Sequence, residues 1–155
     1  MSDLLTVFTD ASYCHETGAA GWAVWAKRDG RPTFFKAGSF RDKLSGPFEA
    51  ELGAVANACA MLSRRQYLGG DHHVLIKTDC QEVIDRIGRF AQRNPEGVYE
   101  RYYERIYKAK LSVRCLEIRH VKGHRGMSAG ARFAVNERCD RAAKFQMRLK
   151  RKELL

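Results

Sequence analysis

An Asp-Gly pair at positions 29 and 30 constrains the fold of this chain more than any other feature. It separates Ala19–Arg28 from Pro32–Phe40, two segments of strand-like composition. Asp-Gly between such segments is typical of a tight β-hairpin turn. Leu4–Asp10 has a similar composition, so we predict that the chain opens with an antiparallel meander of three strands.

Helix and strand patterns alternate after this meander. Apolar residues recur at helical spacing in Gly46–Arg65, and the apolar run Val74–Ile76 is typical of a buried strand. The further predicted elements are helices at about Cys80–Arg89, Val98–Leu111 (after the capping sequence Asn94-Pro95) and Ala134–Lys152, and a strand at Val113–Val121. The order βββ-α-β-α-α-β-α predicts an α/β fold in which helices cover a mixed sheet.

The composition narrows the class of protein. The 155 residues, 45% of them hydrophobic, suffice for one domain with its own core. No apolar run approaches the roughly 20 residues that cross a membrane, and the N-terminus lacks the pattern of a signal peptide. We therefore expect a cytoplasmic protein without a membrane partner. The five cysteines are odd in number and lack CxxC spacing, so we interpret them as reduced, mostly structural thiols.

The charge balance favours a polyanionic partner. Lys and Arg number 28 and Asp and Glu 18, which gives a net charge of +10. Such an excess is typical of nucleic-acid binding, although it can also serve solubility alone.

Two aspartates lie where predicted strands end. Asp10 ends the first strand, where the alternative is an Asp-initiated turn. Asp79 follows the fourth strand and precedes a helix. Its spacing to Glu82 is that of a capping box, as is the spacing of Thr78 to Gln81. Each aspartate thus has a structural and a metal-binding interpretation.

Two further carboxylates are predicted to lie on the inner faces of helices. Glu51 lies beside the apolar stripe of its helix, whereas Glu49 lies ~160° away, toward solvent. The alternative for Glu51 is simple complementarity to the helix dipole. Asp140 shares a face with Ala143 and Met147. Its alternative is a salt bridge to one of its basic neighbours, Arg138, Arg141 or Lys144.

Four converging carboxylates would repel each other unless cations lay between them. Ligation by oxygen alone suits Mg²⁺ or Mn²⁺ rather than zinc. Two such ions support phosphoryl transfer, since one activates water and the other stabilises the leaving oxygen. His124, in a glycine-rich loop, is a candidate for moving a proton or helping product leave. His120 ends a strand, so we do not expect it to share a helical zinc site with His124. We assign His72 and His73 no role.

Five motifs now point to a known family: FTDAS, EAELGAV, IKTDCQEV, HVKGH and NERCDRAAK. Their order and approximate spacing, from Val7 to Lys144, resemble those of type 1 ribonucleases H. The resemblance implies a five-stranded sheet, with strands 1–3 antiparallel and strands 1, 4 and 5 parallel, flanked by about four helices. It also implies one RNase H domain over residues 1–155, with a short basic tail at about 148–155, and we expect a monomer.

The resemblance further implies cleavage of the RNA strand of RNA–DNA hybrids, leaving 5′-phosphate and 3′-hydroxyl ends, with two Mg²⁺ (or Mn²⁺) ions per site. The family's four metal-binding carboxylates correspond to Asp10, Glu51, Asp79 and Asp140, and its catalytic loop histidine to His124. The predicted substrate contacts are Gln81, Ser12, Asn136, Arg86 and Arg89.

The chain departs from the family pattern at several points. Ala11 replaces a frequent glycine, and Gly46-Pro47-Phe48 stands where an asparagine pair often reads the hybrid, with Ser45 as a weak substitute. Many bacterial members of the family carry a long basic, tryptophan-containing insertion after the second helix, whereas this chain has only the short segment Gly88–Gly97 there. Binding is therefore expected to rely on Arg86, Arg89, Arg93 and the helix Val98–Lys110, whose alternative is a solvated charged face. Met127–Val135 is interpreted as an inserted loop beside the active site.

Two other functions are weighed against hybrid cleavage. One is a DNA nuclease of the junction-resolvase type on the same fold, against which the VKGH and NERCD motifs argue. The other is a non-catalytic hybrid-binding module. A pure binder of a polyanion gains nothing from four converging negative charges, which argues against that alternative.

Overall fold

The structure is a computed structural model that describes residues 4–29, 31–64, 72–90, 99–121 and 131–155. Side chains are not described for 89–90 and 131–133. The elements are β1 (Leu4–Tyr13), β2 (Ala20–Arg28), β3 (Arg31–Ser39), α1 (Pro47–Arg64), β4 (His73–Thr78), α2 (Gln81–Phe90), α3 (Glu100–Ser112), β5 (Cys115–His120) and α4 (Ala131–Leu154). This order confirms the predicted α/β succession.

The five strands form one sheet in the order β3-β2-β1-β4-β5. β1, β2 and β3 pair antiparallel, whereas β4 pairs parallel with both β1 and β5. The mixed sheet implied by the family resemblance is therefore confirmed. At the predicted hairpin, Asp29 has a φ of 49°, a left-handed conformation that aspartate tolerates in turns.

Helices cover the two faces of the sheet unequally. On one face α1, α2 and α3 enclose the main core, to which Val7, Val24 and Ile76 contribute fully buried side chains. On the other face α4 packs across β1, β2 and β3, around Phe8 and Cys139. The α4 side of β4 and β5 carries side chains that are partly or largely exposed. No helix among the described residues has the length and apolar character needed to cross a membrane.

Two predicted boundaries were wrong near the candidate site. β1 does not end at Asp10 but continues to Tyr13, because Asp10–Tyr13 still pair with β2. α4 begins at Ala131, so the last five residues of the predicted loop Met127–Val135 are helical. Ala131, Arg132 and Ala134 are good helix formers, which favours this earlier start, and Val135 packs against the cluster around Phe8. The rest of that loop, and Asn94-Pro95, lie outside the described residues.

Candidate metal-binding active site

Three of the four predicted carboxylates converge at the carboxyl end of β4. One carboxylate oxygen from each of Asp10, Glu51 and Asp79 lies within 4.8 Å of the other two. The parallel register explains why the two aspartates meet. Phe8 is aligned with Lys77, and each aspartate lies two residues further along its own chain. Glu51 reaches the same point from the first turns of α1.

The backbone around Asp79 is held by three hydrogen bonds. The Thr78 hydroxyl accepts from the backbone N–H of Cys80 at 3.2 Å, and the N–H of Val121 donates to the Thr78 carbonyl at 2.8 Å. Nε2 of His120 lies 3.1 Å from the Asp79 carbonyl oxygen. The end of β5 therefore fixes the turn that presents Asp79, and this is the role the structure gives His120.

Burial and mutual repulsion raise the pKa of two of these carboxyls. Desolvation is the larger cause for Asp10, and the charges of Asp79 and Asp140 add to it, so that its pKa rises to about 8. The N–H of Ala11 donates to Asp10 Oδ1 at 2.9 Å and opposes this shift. Desolvation, together with the charges of Asp79 and Asp10, likewise raises the pKa of Glu51 well above its ordinary value.

The donor set of this cluster fits a divalent cation. Oε2 of Glu51 is buried and takes no hydrogen bond from the described part of the chain. Such an oxygen is costly to bury alone, and a bound cation would satisfy it. The three ligand residues offer only oxygen, the preference of Mg²⁺ and Mn²⁺.

The fourth predicted carboxylate, Asp140, lies on α4 beside the cluster. Its side chain is only 16% exposed, and its Oδ2 forms an ion pair with Lys144 Nζ at 2.9 Å. This is one of the salt bridges weighed as its alternative role. Asp140 is not one of the three residues that lie within 4.8 Å of each other, but its charge raises the pKa of Asp10.

Gly21 on β2 sets how closely α4 approaches the sheet. A Cβ atom at this position would lie 2.2 Å from the backbone oxygen of Ala143 and 2.5 Å from the backbone nitrogen of Met147. Only glycine allows this contact without a shift of the helix. Asp140 lies about one turn before Ala143 on the same helix. The position of its carboxylate therefore depends on residue 21 being a glycine, which lets α4 approach β2 closely.

Of the predicted substrate contacts, Gln81 and Arg86 bind other side chains of this chain, and no partner among the described residues is identified for Ser12 and Asn136. Gln81 donates to Asp85 at 3.1 Å, which replaces the capping-box bond weighed for it. Arg86 pairs with Glu82 at 2.8 Å and stacks over the ring of Phe48. Ser12 on β1 and Asn136 on α4 are half-buried. His124, Arg93 and the side chain of Arg89 lie outside the described residues.

Sequence reasoning missed a polar network in front of α1. Glu49 was predicted to face solvent, but it accepts hydrogen bonds from Ser45 and from the Tyr102 hydroxyl at 2.8–3.0 Å. Ser45 Oγ also lies 2.9 Å from the Tyr99 hydroxyl. These bonds join α1 and the loop before it to α3. The tyrosines in and just before α3 indicated that this segment could form hydrogen bonds, but nothing in the sequence alone identified Glu49 and Ser45 as their partners.

This network borders a cavity of about 610 Å³ between the β3–α1 segment and α3, which we call the basic cavity. It contains aromatic groups and more basic than acidic side chains. Its basic residues are Lys36, Arg41, Lys43, Arg64, Arg101 and Arg105, and its aromatic residues are Trp22, Phe40, Tyr99 and Tyr102.

Comparison with known proteins agrees with this fold. The sequence profile of the RNase H family matches residues 2–148. No curated protein sequence matches the chain.

Solved structures share the fold at low sequence identity. The RNase H1 of the halophilic archaeon Halobacterium salinarum is 16% identical, with a TM-score of 0.70 over 94% of this chain and 98% of that one. The N-terminal RNase H domain of Rv2228c from Mycobacterium tuberculosis is 11% identical, with a TM-score of 0.74 over 99% and 100%. LC11-RNase H1, solved in complex with an RNA/DNA hybrid, is 16% identical, with a TM-score of 0.68 over 94% and 97%.

Proposed function

Because the chain belongs to the ribonuclease H family, we propose that it hydrolyses the RNA strand of RNA–DNA hybrids. The observation that carries this proposal is the convergence of Asp10, Glu51 and Asp79 at one end of the sheet. The oxygen of a water molecule attacks phosphorus, and the bond between phosphorus and the 3′ oxygen breaks. The phosphate remains on the 5′ end, and the 3′ oxygen leaves as a hydroxyl after it takes a proton.

The residues proposed to hold Mg²⁺ or Mn²⁺ are Asp10, Glu51, Asp79 and Asp140. Two such ions, when bound, would supply activation of water and stabilisation of the leaving oxygen. The raised pKa values of Asp10 and Glu51 mean that cations displace protons when they bind, so cation affinity should increase with pH.

Lys144 is proposed to keep Asp140 oriented. Its ammonium group pairs with Asp140 and also lowers the pKa of Asp10, so it partly offsets the repulsion among the acids. We propose His124 as the group that moves a proton to or from the product.

The basic cavity is the proposed path of the hybrid backbone. Its arginines and lysines can neutralise phosphates, and its aromatic rings can pack against sugars or bases. The structure of LC11-RNase H1 with an RNA/DNA hybrid supports hybrid as the substrate class. Contacts to the RNA 2′-hydroxyls would distinguish RNA from DNA, and we propose Gln81, Ser12 and Asn136 for the strand near the carboxylates.

The side chains of Arg86 and Arg89 on α2 are proposed to contact the hybrid backbone. For Arg86 this would require exchange of its exposed pair with Glu82 for a phosphate. We further propose that residues 1–155 act as one monomeric domain and that the enzyme is cytoplasmic.

The deciding experiment compares cleavage of RNA–DNA hybrid, double-stranded RNA and double-stranded DNA in Mg²⁺. We expect cleavage of the hybrid alone, and a loss of at least about a hundredfold in Asp79→Asn, as when one transition-state-stabilising group is removed. The matched control is Asp29→Asn, the same chemical change in an exposed turn whose positive φ asparagine also tolerates.

Three results would contradict the proposal. Full activity in Asp79→Asn would remove the site assignment. Preference for branched DNA would indicate a junction nuclease. Hybrid binding without cleavage or cation binding would indicate a non-catalytic module.

A further inference from the structure

A second group of metal-ligand side chains lies at the opposite end of the parallel strands. His73 and Cys115 are aligned partners at the first positions of β4 and β5. Glu117 lies two residues further along β5, and therefore on the same face as Cys115. One ligand atom from each of the three lies within 4.8 Å of the others.

The separations are close to those around a tetrahedral ion. Oε1 of Glu117 lies 3.9 Å from His73 Nε2 and 3.9 Å from Cys115 Sγ. A zinc ion with bonds of about 2.0–2.3 Å holds its ligand atoms roughly 3.3–3.6 Å apart. A contraction of about half an ångström at Glu117, and of at most roughly 1.3 Å between His73 and Cys115, would therefore suffice. All three residues are only half-buried, so their side chains have room to make it.

Two details of the contacts favour a ligand at this point. Nε2 of His73 is buried, yet no described residue makes a hydrogen bond to it. The two oxygens of Glu117 are also used differently. Oε2 accepts from Arg119 at 2.7 Å, whereas Oε1 faces His73 and Cys115. The carboxylate is thus oriented by Arg119 and keeps one oxygen for the other two side chains.

We propose that His73, Cys115 and Glu117 bind one Zn²⁺ ion, with water as the fourth ligand. Imidazole nitrogen and thiolate sulfur select zinc over magnesium, which distinguishes this site from the oxygen-only cluster. Binding releases the proton that Cys115 now directs toward Glu117.

The site is independent of the catalytic one in position. His73 is six residues before Asp79 on an extended strand, a distance of roughly 20 Å. A metal here would link the first residues of β4 and β5. Zinc here would stabilise the pairing of these two strands while its water position stays open, unlike the closed four-ligand coordination of purely structural zinc sites.

Cobalt is the direct test, because thiolate-bound Co²⁺ has a charge-transfer absorption in the near ultraviolet. Co²⁺ is titrated into the full chain in excess Mg²⁺, which occupies the carboxylates. We expect one equivalent with the thiolate band, and loss of that band in Cys115→Ser. Cys80→Ser is the matched control, since Cys80 is equally half-buried but lies beside Asp79.

Two further readouts separate metal binding from a simple ion pair. His73→Gln and Glu117→Gln should each weaken Co²⁺ binding by at least the roughly 10–100-fold that loss of an outer partner costs. Zn²⁺ at a hundredfold excess over its Kd should raise the Tm of the parent protein by roughly 5–10 °C, and leave that of Cys115→Ser unchanged. Circular dichroism establishes that each variant is folded.

Two outcomes would overturn the proposal. One is a folded parent protein without the thiolate band at saturating Co²⁺. The other is a band that disappears in Cys80→Ser and persists in Cys115→Ser.

Discussion

The two ends of the parallel strands gather potential metal ligands of opposite character. At the carboxyl end, three oxygen donors converge, and burial raises the pKa of two of them. At the amino end, nitrogen, sulfur and oxygen donors meet in half-buried positions, with Arg119 beside the carboxylate. Parallel pairing of β4 with β1 contributes to one group and parallel pairing of β4 with β5 to the other, so donor type and burial, rather than strand direction, determine which metal each end suits.

Glu51→Gln should have the largest effect on the carboxyl end relative to the amino end. Removal of one buried charge should reduce hybrid cleavage by at least about a hundredfold. The same change should stabilise the metal-free protein, because an amide avoids the desolvation of a buried charge and the repulsion by Asp79 and Asp10, which together raise the pKa of Glu51. Activity assays and melting curves in chelator check this pair of effects. Glu153→Gln, on the exposed end of α4, is the control, and equal activity in both variants would refute the prediction.

The pH dependence of stability should reveal the buried carboxyl group of Asp10 at the carboxyl end. The pKa of Asp10 is about 8 in the folded chain and near its ordinary 3.8 when unfolded. The folded state therefore retains a proton that the unfolded state releases. Stability of the metal-free protein should fall as pH rises from about 4 to about 8, with a slope from this group approaching about 1.4 kcal/mol per pH unit.

Urea unfolding at several pH values measures this slope. Asp10→Asn should flatten it, and Mg²⁺ should offset the loss increasingly as pH rises. A slope unchanged in Asp10→Asn would show that other groups cause it.

Gly21→Ala should damage the carboxyl end and leave the amino end intact. The added Cβ would force α4 away from β2, at a cost of about 1–3 kcal/mol in the free energy of unfolding. Asp140 would move with α4, so cleavage should fall while the cobalt band persists. Gly88→Ala is the control, since nothing lies within 4 Å of its added Cβ. Equal stability in the two variants would contradict the close contact.

Arg119→Ala should have the smallest effect. Its ion pair with Glu117 is largely exposed, so the free energy of unfolding should change by no more than about 1 kcal/mol. Loss of this orienting partner should weaken Co²⁺ binding by roughly tenfold at the amino end. Hybrid cleavage should be unaffected, and a fall in cleavage would indicate that the two ends are coupled.

Much of the carboxyl end was predictable because its causes are local. Strand composition and the Asp29 turn predicted the antiparallel meander, and helical periodicity predicted that Glu51 faces inward. The parallel arrangement of strands 1, 4 and 5 was implied by the family resemblance. The end of β1 was misplaced because Asp10 resembles a turn residue, whereas pairing with β2 continues past it. α4 begins earlier than predicted because the good helix formers Ala131 and Arg132 were assigned to the glycine-rich loop before it.

The amino-end cluster could not be predicted in this way. His73 and Cys115 are far apart in sequence and become partners only through the β4–β5 register. Their spacing matches no local zinc motif, so they were assigned no role or a structural one. The bond of Glu49 to Tyr102 depends in the same way on contact between distant elements, whereas its bonds to Ser45 are local.

The Asp29 turn offers an attachment point for labels. Asp29 exchanges backbone and side-chain hydrogen bonds with Leu4, which is aligned with His73 at the amino end of the sheet. Asp10 is six residues further along β1, roughly 20 Å away. A fluorophore or an affinity peptide attached at Asp29 would therefore report on the strand starts, and the protein could be immobilised there with the proposed active site directed away from the support.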